Sequence, residues 1–443
     1  MLKLNHKLIH EKAMHAITRV DPIRLNGKVT QVIGLTIEAK GPNASLGELC
    51  IIESNNSVQR IYAEVVGFKD DKVLLMPLGE LGAIGPGCQV IATGKPFEVQ
   101  VGYELLGRVL DGLGNPIDGL QFYNNLDRYS INNTPPNPLH RPKIREAMSV
   151  GVRVLDGLNT IGKGQRIGLF AGSGVGKSTL LGMIARNTEA DINVIALIGE
   201  RGREVREFID KDLGPEGLKR SVLVVATSDQ PALVRMKGAM LATAIAEYFR
   251  DQGLQVMLMM DSLTRYAMAG REVGLAIGEP PAARGYTPSV FATLPRLLER
   301  AGTSAKGSIT AFYTVLVDAD DMNEPIADAV RGILDGHIVL SRKLAHKNHF
   351  PAIDVLQSVS RVMNDIATPE HLQASSRLKE LLAIYRESED LISIGAYKKG
   401  SNRKLDTAIY YKDRIDDYCK QQIHEVTNFE QSVSNLTELL EKV

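Results

Sequence analysis

Between residues 25 and 93, apolar and polar positions alternate over short runs, KVTQVIGLTIEA, ELCIIES, RIYAEVVGF and KVLLMPL, broken by Gly-Pro, Asn-Asn and Asp-Asp pairs. A period of two bounded by turn residues predicts strands, and several short strands at this spacing suggest a small closed barrel. Ahead of them, Leu4, Leu8, Ile9, Ala13, Ala16 and Ile17 recur at helical spacing, with Lys3, Lys7, Lys12 and Arg19 set against a single Glu11. This predicts a basic amphipathic helix, for which two readings stay open. It docks on its own protein or frays, or it meets a partner or acidic lipid headgroups in a peripheral membrane association.

After the barrel comes NNTPPNPLHRPKIRE, in which Pro135, Pro136, Pro138 and Pro142 are too dense for a helix or a central strand. It predicts a stiff connector laid over a surface. Beyond it the period changes. The apolar runs QRIGLF, NVIALIG, SVLVVAT, QVMLMMD, SITAFYTVLV and HIVL alternate with helical stretches. Strand–helix alternation implies a mostly parallel sheet covered on both faces, with ligands at the carboxyl ends of the strands. The tail after Pro369 is helical, and Ile423, Val426, Phe429, Val433, Leu436 and Leu440 predict one last amphipathic segment.

Composition narrows the function classes. A chain of 443 residues predicts several domains at roughly one per 150. Lys plus Arg equals Asp plus Glu at 52 each, there is no Trp and aromatics make up 5%, so nothing here suits a nucleic acid partner. Cys50, Cys88 and Cys419 are scattered, which argues against a disulfide framework or a cysteine metal site. His346 and His349 have metal-like spacing, but no Cys or carboxylate cluster joins them. The first residues lack the apolar run of a signal peptide and no later run approaches the ~18 apolar residues of a membrane span, which predicts a cytoplasmic protein.

The densest chemistry is in GLFAGSGVGKSTLL, where an apolar strand breaks at Gly172, Ser173, Gly174, Val175 and Gly176 before Lys177, Ser178 and Thr179 open a helix. Backbone N–H groups of such a loop, with the helix N-terminus behind them, cradle phosphates. The pattern asks for Gly at its first position, where this chain has Ala171, a departure of one methyl. The pattern predicts that the loop holds the α- and β-phosphates of a nucleotide, that Lys177 reaches β and γ, and that the Ser178 hydroxyl sits on Mg²⁺. Asp261 ends the buried run QVMLMMD and would deliver a carboxylate toward the same metal. Ser262 follows it, so a water-activating carboxylate has to come from another strand. Glu200 ends NVIALIGE one helix, one turn and one strand after Lys177, which suits a general base beside the γ-phosphate.

The barrel, AGSGVGKS, GERGREV, MMDSLTR and SVSRV, in this order, resemble the hexameric ATPases related to the rotary ATP synthase, over nearly the whole chain. The resemblance implies an α/β, RecA-like phosphate-loop core with a mostly parallel sheet, preceded by a small N-terminal β-barrel and followed by a helical C-terminal domain. The corresponding bounds are 1–20 for the amphipathic segment, 21–96 for the barrel, 97–349 for the ATPase domain and 350–443 for the helical domain. In that family catalytic subunits have Glu in the GER motif, and non-catalytic subunits lend an arginine finger from an SR-containing segment. This chain has both Glu200 and Arg361, so the resemblance implies a homo-oligomeric ring, a hexamer, in which each chain completes its neighbour's site. It further implies Arg201 and Arg265 near the γ-phosphate, Glu204 near the Mg²⁺ waters, and Phe350 stacked on adenine.

Within this family GLTIEAKGPNASLGELC, PPNPLHRPKIREAMSVGVR, SDQPALVR and GYTPSVFATLPRLLERAG are similar to the flagellum-specific type III export ATPases. That likeness implies ATP hydrolysis at the cytoplasmic face of an inner-membrane export apparatus, releasing substrates from chaperones and delivering them to the export gate. It also implies a stator-like regulator on the N-terminal segment and a central coiled-coil stalk. Where the rotary catalytic subunit carries an acidic loop, this chain has Lys398, Lys399, Arg403 and Lys404, so a partner docking there should be acidic or neutral, or the loop is simply solvated. Asp318, Asp320, Asp321 and Glu324 resemble the loop that catches the stalk, or are solvated. An injectisome ATPase, a rotary synthase subunit, a ring translocase on RNA and a nucleotide-binding switch that never turns over are the competing readings; the second conflicts with having Glu200 and Arg361 in one chain, and the third with the scarcity of aromatics.

Overall fold

Alternating positions of the first segment close into a barrel. The computed structural model describes residues 10, 14, 26–54, 60–82, 84–121, 126–317 and 321–440. The predicted N-terminal helix therefore lies outside the described residues, apart from His10 and Met14. Strands β1 (Gly27–Ile33), β2 (Thr36–Lys40), β3 (Glu48–Glu53), β4 (Arg60–Lys69), β5 (Lys72–Pro77) and β6 (Gln89–Pro96) pair antiparallel in the closed order β1-β2-β5-β4-β3-β6. Every other residue turns inward, so Val29, Ile37, Ala39, Cys50, Ile52, Ala63, Val65 and Leu75 fill the interior. The three cysteines are buried free thiols. Burial pushes Cys50 and Cys419 up to about 12, which leaves them inert as nucleophiles.

Residues 98–443 form a second compact unit. A two-stranded ribbon of β7 (Glu98–Val101) and β9 (Asp127–Ser130) flanks a larger sheet. That sheet takes β8 (Val109–Asp111), β10 (Arg166–Ala171), β11 (Ile192–Ile198), β12 (Ser221–Ala226), β13 (Gln255–Asp261), β14 (Gly302–Thr303), β15 (Ser308–Leu316), β16 (Gly336–Leu340) and β17 (Val359–Ser360). Its order is β17-β16-β10-β15-β13-β11-β12-β8, with β14 paired to β15. Only β14 and β17 run antiparallel to their neighbours. Core strands such as β11 and β12 are buried at every position, which is why they read as unbroken apolar runs rather than as alternation.

All six apolar runs read from the sequence are strands here, and the fold is α/β between a barrel and a helical tail. The tail packs as helices Pro369–Ser393, Arg403–Cys419 and Phe429–Leu440, with Leu378, Leu381, Ala408, Tyr411, Ile415 and Leu436 in the same core as the sheet. The last helix starts later than its apolar spacing predicts. Asn428 caps it, accepting from Gln431 N at 2.8 Å while Gln431 Oε1 accepts from Asn428 N at 3.4 Å. Ile423 and Val426 therefore fall in the preceding turn, where Val426 is 71% exposed. The proline connector runs over the surface with Leu139 fully out, and Arg141 ties it down through the Ala301 carbonyl at 2.9 Å.

Candidate functional site

Between β10 and the helix Lys177–Asn187 the chain turns through Gly172–Gly176. Gly176 sits at the helix N-cap with φ of 86°, a left-handed conformation that side chains resist. A Cβ there would also come within 3.5 Å of the Phe350 ring. Val175 is buried while Ser173 and Gly174 are exposed, and Lys177, Ser178 and Thr179 open the helix half-buried. The loop thus faces outward at the carboxyl end of β10, with helix N–H groups aimed into it.

The acidic residues arrive on neighbouring strands. In the order β10-β15-β13-β11, Asp261 closes β13 and Glu200 follows β11. Lys177 Nζ lies 2.5 Å from Asp261 Oδ1 and 3.5 Å from Glu200 Oε1. Asp261 also accepts from the Thr314 hydroxyl of β15 at 2.7 Å, so the strand wedged between β10 and β13 orients it. Ser262, next in sequence, caps the helix Leu263–Ala276 by accepting from Arg265 N. That cap explains why a serine follows the acid: the strand delivers Asp261 and the next residue starts the helix carrying Arg265. Gly199 has φ of 73°, and a Cβ on it would lie 2.7 Å from Arg265 Cβ, so glycine lets the Arg265 stem pack behind Glu200.

Lys177 faces two carboxylates in this cluster. Burial opposes the Lys177 ammonium, yet Asp261 and Glu200 outweigh it and hold its pKa above the ordinary lysine value. Burial first, and the charge of Asp261 second, push the Glu200 carboxyl up to about 7. A hydrogen bond with Glu200 holds Glu204 below the usual carboxylate range. Around this cluster lie exposed Arg201, 3.7 Å from Glu204, and Arg265, whose Nη1 donates to the Met268 sulfur at 3.8 Å. Arg265 Nε is buried without a hydrogen-bond partner among the described residues. A guanidinium left open beside an outward-facing amide loop suits an anionic ligand, and Ser178 with Asp261 offers the hard oxygen donors that Mg²⁺ takes.

A 460 Å³ cleft adjoins the loop, bounded by Gly176, Leu180, Met183, Phe350, Gln421 and Ile423. Phe350 is 40% exposed and presents its ring to this space. Gln421 is fixed from three sides: its N donates to Phe350 O at 3.0 Å, its Oε1 accepts from Arg153 N at 2.8 Å, and its Nε2 donates to Gly151 O at 2.9 Å. Sequence reasoning missed Gln421 and Thr314. A hydroxyl inside the apolar run SITAFYTVLV was a signal for Thr314, whereas KQQIH carried none for Gln421.

Arg361 is not brought to this cluster. It follows β17, whose Ser360 pairs with Gly336 at the start of β16, and β16 runs parallel to β10. Arg361 therefore hangs from the amino end of the sheet, about 20 Å from the loop at roughly 3.3 Å per residue along β10. His349 is buried and its pKa is lowered by that burial, while His346 is exposed. Asp321 pairs with Arg284 at 3.0 Å and Glu324 caps the helix Pro325–Ile333, whereas Asp318 and Asp320 lie outside the described residues. At the tail, Leu391 and Ile394 are exposed beside Lys398 and Lys399. No described helix is long and apolar enough to cross a membrane.

An outward loop on a parallel strand, a buried Lys–Asp pair across one intervening strand and a carboxylate on the next define a phosphate-loop nucleotide-binding protein. Comparison with known proteins agrees: the ATP synthase alpha/beta family nucleotide-binding domain matches residues 151–360, and that family's beta-barrel domain matches 29–94. The T3SS EscN ATPase C-terminal domain matches residues 367–438. The flagellum-specific ATP synthase of Bacillus subtilis is 60% identical over 97% of this chain and 98% of its own length. The type 3 secretion system ATPase of Xanthomonas euvesicatoria is 54% identical over 94% of each chain. The assembled ATPase EscN of the enteropathogenic E. coli type III secretion system superimposes with a TM-score of 0.87 at 48% identity, over 94% of this chain and all of that one. The chain belongs to the family of flagellum-specific ATP synthases and type 3 secretion system ATPases, and it is an ATP-hydrolysing phosphate-loop enzyme.

The raised Glu200 carboxyl has a kinetic consequence. A carboxylate acting as general base must be ionised to accept a proton, and for a group with the Glu200 pKa the available fraction falls about tenfold for each pH unit below 7. We expect kcat/KM for ATP to rise with pH through a single limb centred near 7 and then level off. A profile flat down to about pH 5 would exclude Glu200 as the base in the free enzyme.

Proposed function

We propose that this chain forms a ring that hydrolyses Mg-ATP to energise flagellar type III protein export, each site lying between two copies. One observation carries the reading. Glu200 faces Lys177 and Asp261 within one chain, whereas Arg361 lies exposed at the far end of the same sheet, out of reach of its own chain's loop, which supports its serving a neighbour's site.

In this reading the loop Gly172–Gly176 and the helix start hold the phosphates, and Lys177 leaves Asp261 to contact the β- and γ-phosphates. Ser178 and Asp261 would hold Mg²⁺, with Glu204 placed to support its waters. Mg²⁺, when bound, neutralises charge on the terminal phosphates. Glu200 takes a proton from the attacking water as its oxygen bonds to the γ-phosphorus, the bridging O–P bond breaks, and ADP leaves. Arg201 and Arg265 steady the γ-phosphate from this chain, and Arg361 of the next chain stabilises the charge that spreads over it. Phe350 stacks on adenine in the cleft that Gln421 closes.

Relatives support the setting. They include flagellum-specific ATP synthases, and EscN is solved both assembled and in complex with its central stalk EscO. By likeness, a central stalk meets the exposed Leu391, Ile394, Lys398 and Lys399, and its contact there is acidic or neutral. A stator-like regulator on the N-terminal segment, an export gate, and chaperones with their substrates complete the proposed partners, with the ring at the cytoplasmic face of the inner membrane.

The test is ATP hydrolysis per chain as a function of protein concentration, using the purified chain with Mg²⁺. A specific rate that climbs steeply is expected, because neighbours complete each other's sites. A rate near zero at every concentration would mean that a different subunit is required, and the self-sufficient ring would be withdrawn.

A further inference from the structure

The backbone carrying Arg361 is fastened to the opposite end of the strand that carries the phosphate loop. Asp335 immediately precedes β16, and Arg166 opens β10. Arg166 grips the Asp335 carboxylate at three points, Nε to Oδ2 at 2.9 Å, Nη2 to Oδ1 at 3.0 Å and its own N to Oδ2 at 3.1 Å. Asp335 N donates back to Arg166 O at 2.9 Å. A bidentate fork with this much backbone support fixes direction as well as distance. Arg166 is 12% exposed and also lies 2.5 Å from Glu299.

The Asp335 carbonyl then takes two donors, Arg361 N at 3.1 Å and Gln165 Nε2 at 3.1 Å. Gln165 is fully buried, and the same Nε2 donates to Ser360 Oγ at 3.1 Å, whose hydroxyl in turn donates to Thr160 O at 2.6 Å. Both Ser360 and Arg361 are thus held by Gln165, Arg166 and Asp335. The Arg361 guanidinium is exposed, and its one hydrogen bond among the described residues runs from Nη2 to Arg331 O at 3.2 Å. Its root is fixed, while its exposed tip has a single hydrogen bond to exchange, which is what a group offered to another molecule needs.

We propose that Arg166 and Asp335 are a positioning pair for Arg361, setting where its guanidinium meets the neighbouring chain's nucleotide. This rests on the reading of Arg361 as the residue that completes the neighbour's site. The pair touches no substrate and acts only through Arg361. Loosening it leaves the chain's own loop, at the other end of β10, unaffected.

The experiment uses full-length Asp335→Asn, assayed alone and mixed with Lys177→Ala chains, with Arg361→Ala plus Lys177→Ala as the control mixture. Alone, Asp335→Asn should lose about tenfold to a hundredfold in kcat, the range for a misplacement of about 1 Å. Its affinity for a fluorescent ATP analogue and its KM should stay unchanged. Mixed with Lys177→Ala, activity should recover, because some sites then pair an intact pocket with a neighbour whose Arg166–Asp335 pair is whole. If the control recovers and the Asp335→Asn mixture does not, or if nucleotide affinity falls along with kcat, the pair supports its own chain's site and the proposal is overturned. If the control itself fails, the shared site falls and the pair with it. Should Asp335→Asn not fold, Arg166→Lys, which keeps the charge and loses the fork, is put through the same mixtures with the same criteria.

Discussion

Glu200→Gln is expected to lower ATP turnover by about 10² to 10⁴, the range for removing a general base, while nucleotide binding survives. The side chains are nearly isosteric, and the turn that presents residue 200 depends on Gly199, which is untouched. The fold around residue 200 should tolerate the change as well. Glu200 already keeps its proton much of the time near neutrality, and Lys177 retains its contact with Asp261 at 2.5 Å. Phosphate release and titration with a fluorescent ATP analogue, measured on one preparation, separate the two effects. Unchanged turnover would remove Glu200 from the chemistry. A parallel loss of binding would make it a residue of the pocket wall instead.

Arg361→Ala should cost a comparable or larger factor, about 10³ to 10⁵ in rate, as for other arginines lent in trans to a phosphoryl group. The geometry makes this a sharper test than most. Because Arg361 sits at the amino end of the sheet, its removal cannot disturb the loop in its own chain, and nucleotide affinity should hold. Mixed with Lys177→Ala chains, the inactive variant should regain activity, since each lesion then spares the site that the other one lacks. If no ratio of the two chains recovers any hydrolysis, the sites are not shared between neighbours.

Much of this could be read before any fold was seen, and the exceptions have physical causes. Strands buried on both faces announce themselves as apolar runs, so β10 to β13, β15 and β16 were legible, and with them the loop and the positions of Asp261 and Glu200. Strand β8 was not, because three residues carry no period and its pairing with β12 joins positions far apart in sequence. Spacing suggested an early start for the last helix, but Asn428 won because a cap with two reciprocal hydrogen bonds outweighs the continuation of an apolar stripe. Thr314 and Gln421 are polar residues defined by what lies opposite them. Nothing local distinguishes either from an ordinary strand hydroxyl or a loop amide. The remoteness of Arg361 likewise depends on β17 reversing direction at the sheet edge, which a two-residue strand does not reveal in advance.

The cleft beside the loop also bears on selective inhibition. A compound that relied on the loop's amides would bind phosphate-loop enzymes indiscriminately, since backbone N–H groups look alike in all of them. One that reached across to Gln421 and Ile423 would press on a wall contributed by the tail, more than two hundred residues downstream of that loop. Gln421 is already committed to Phe350, Arg153 and Gly151, so the wall is rigid and its shape can be matched. Discrimination against other phosphate-loop enzymes would then come from side chains that have no part in holding phosphate.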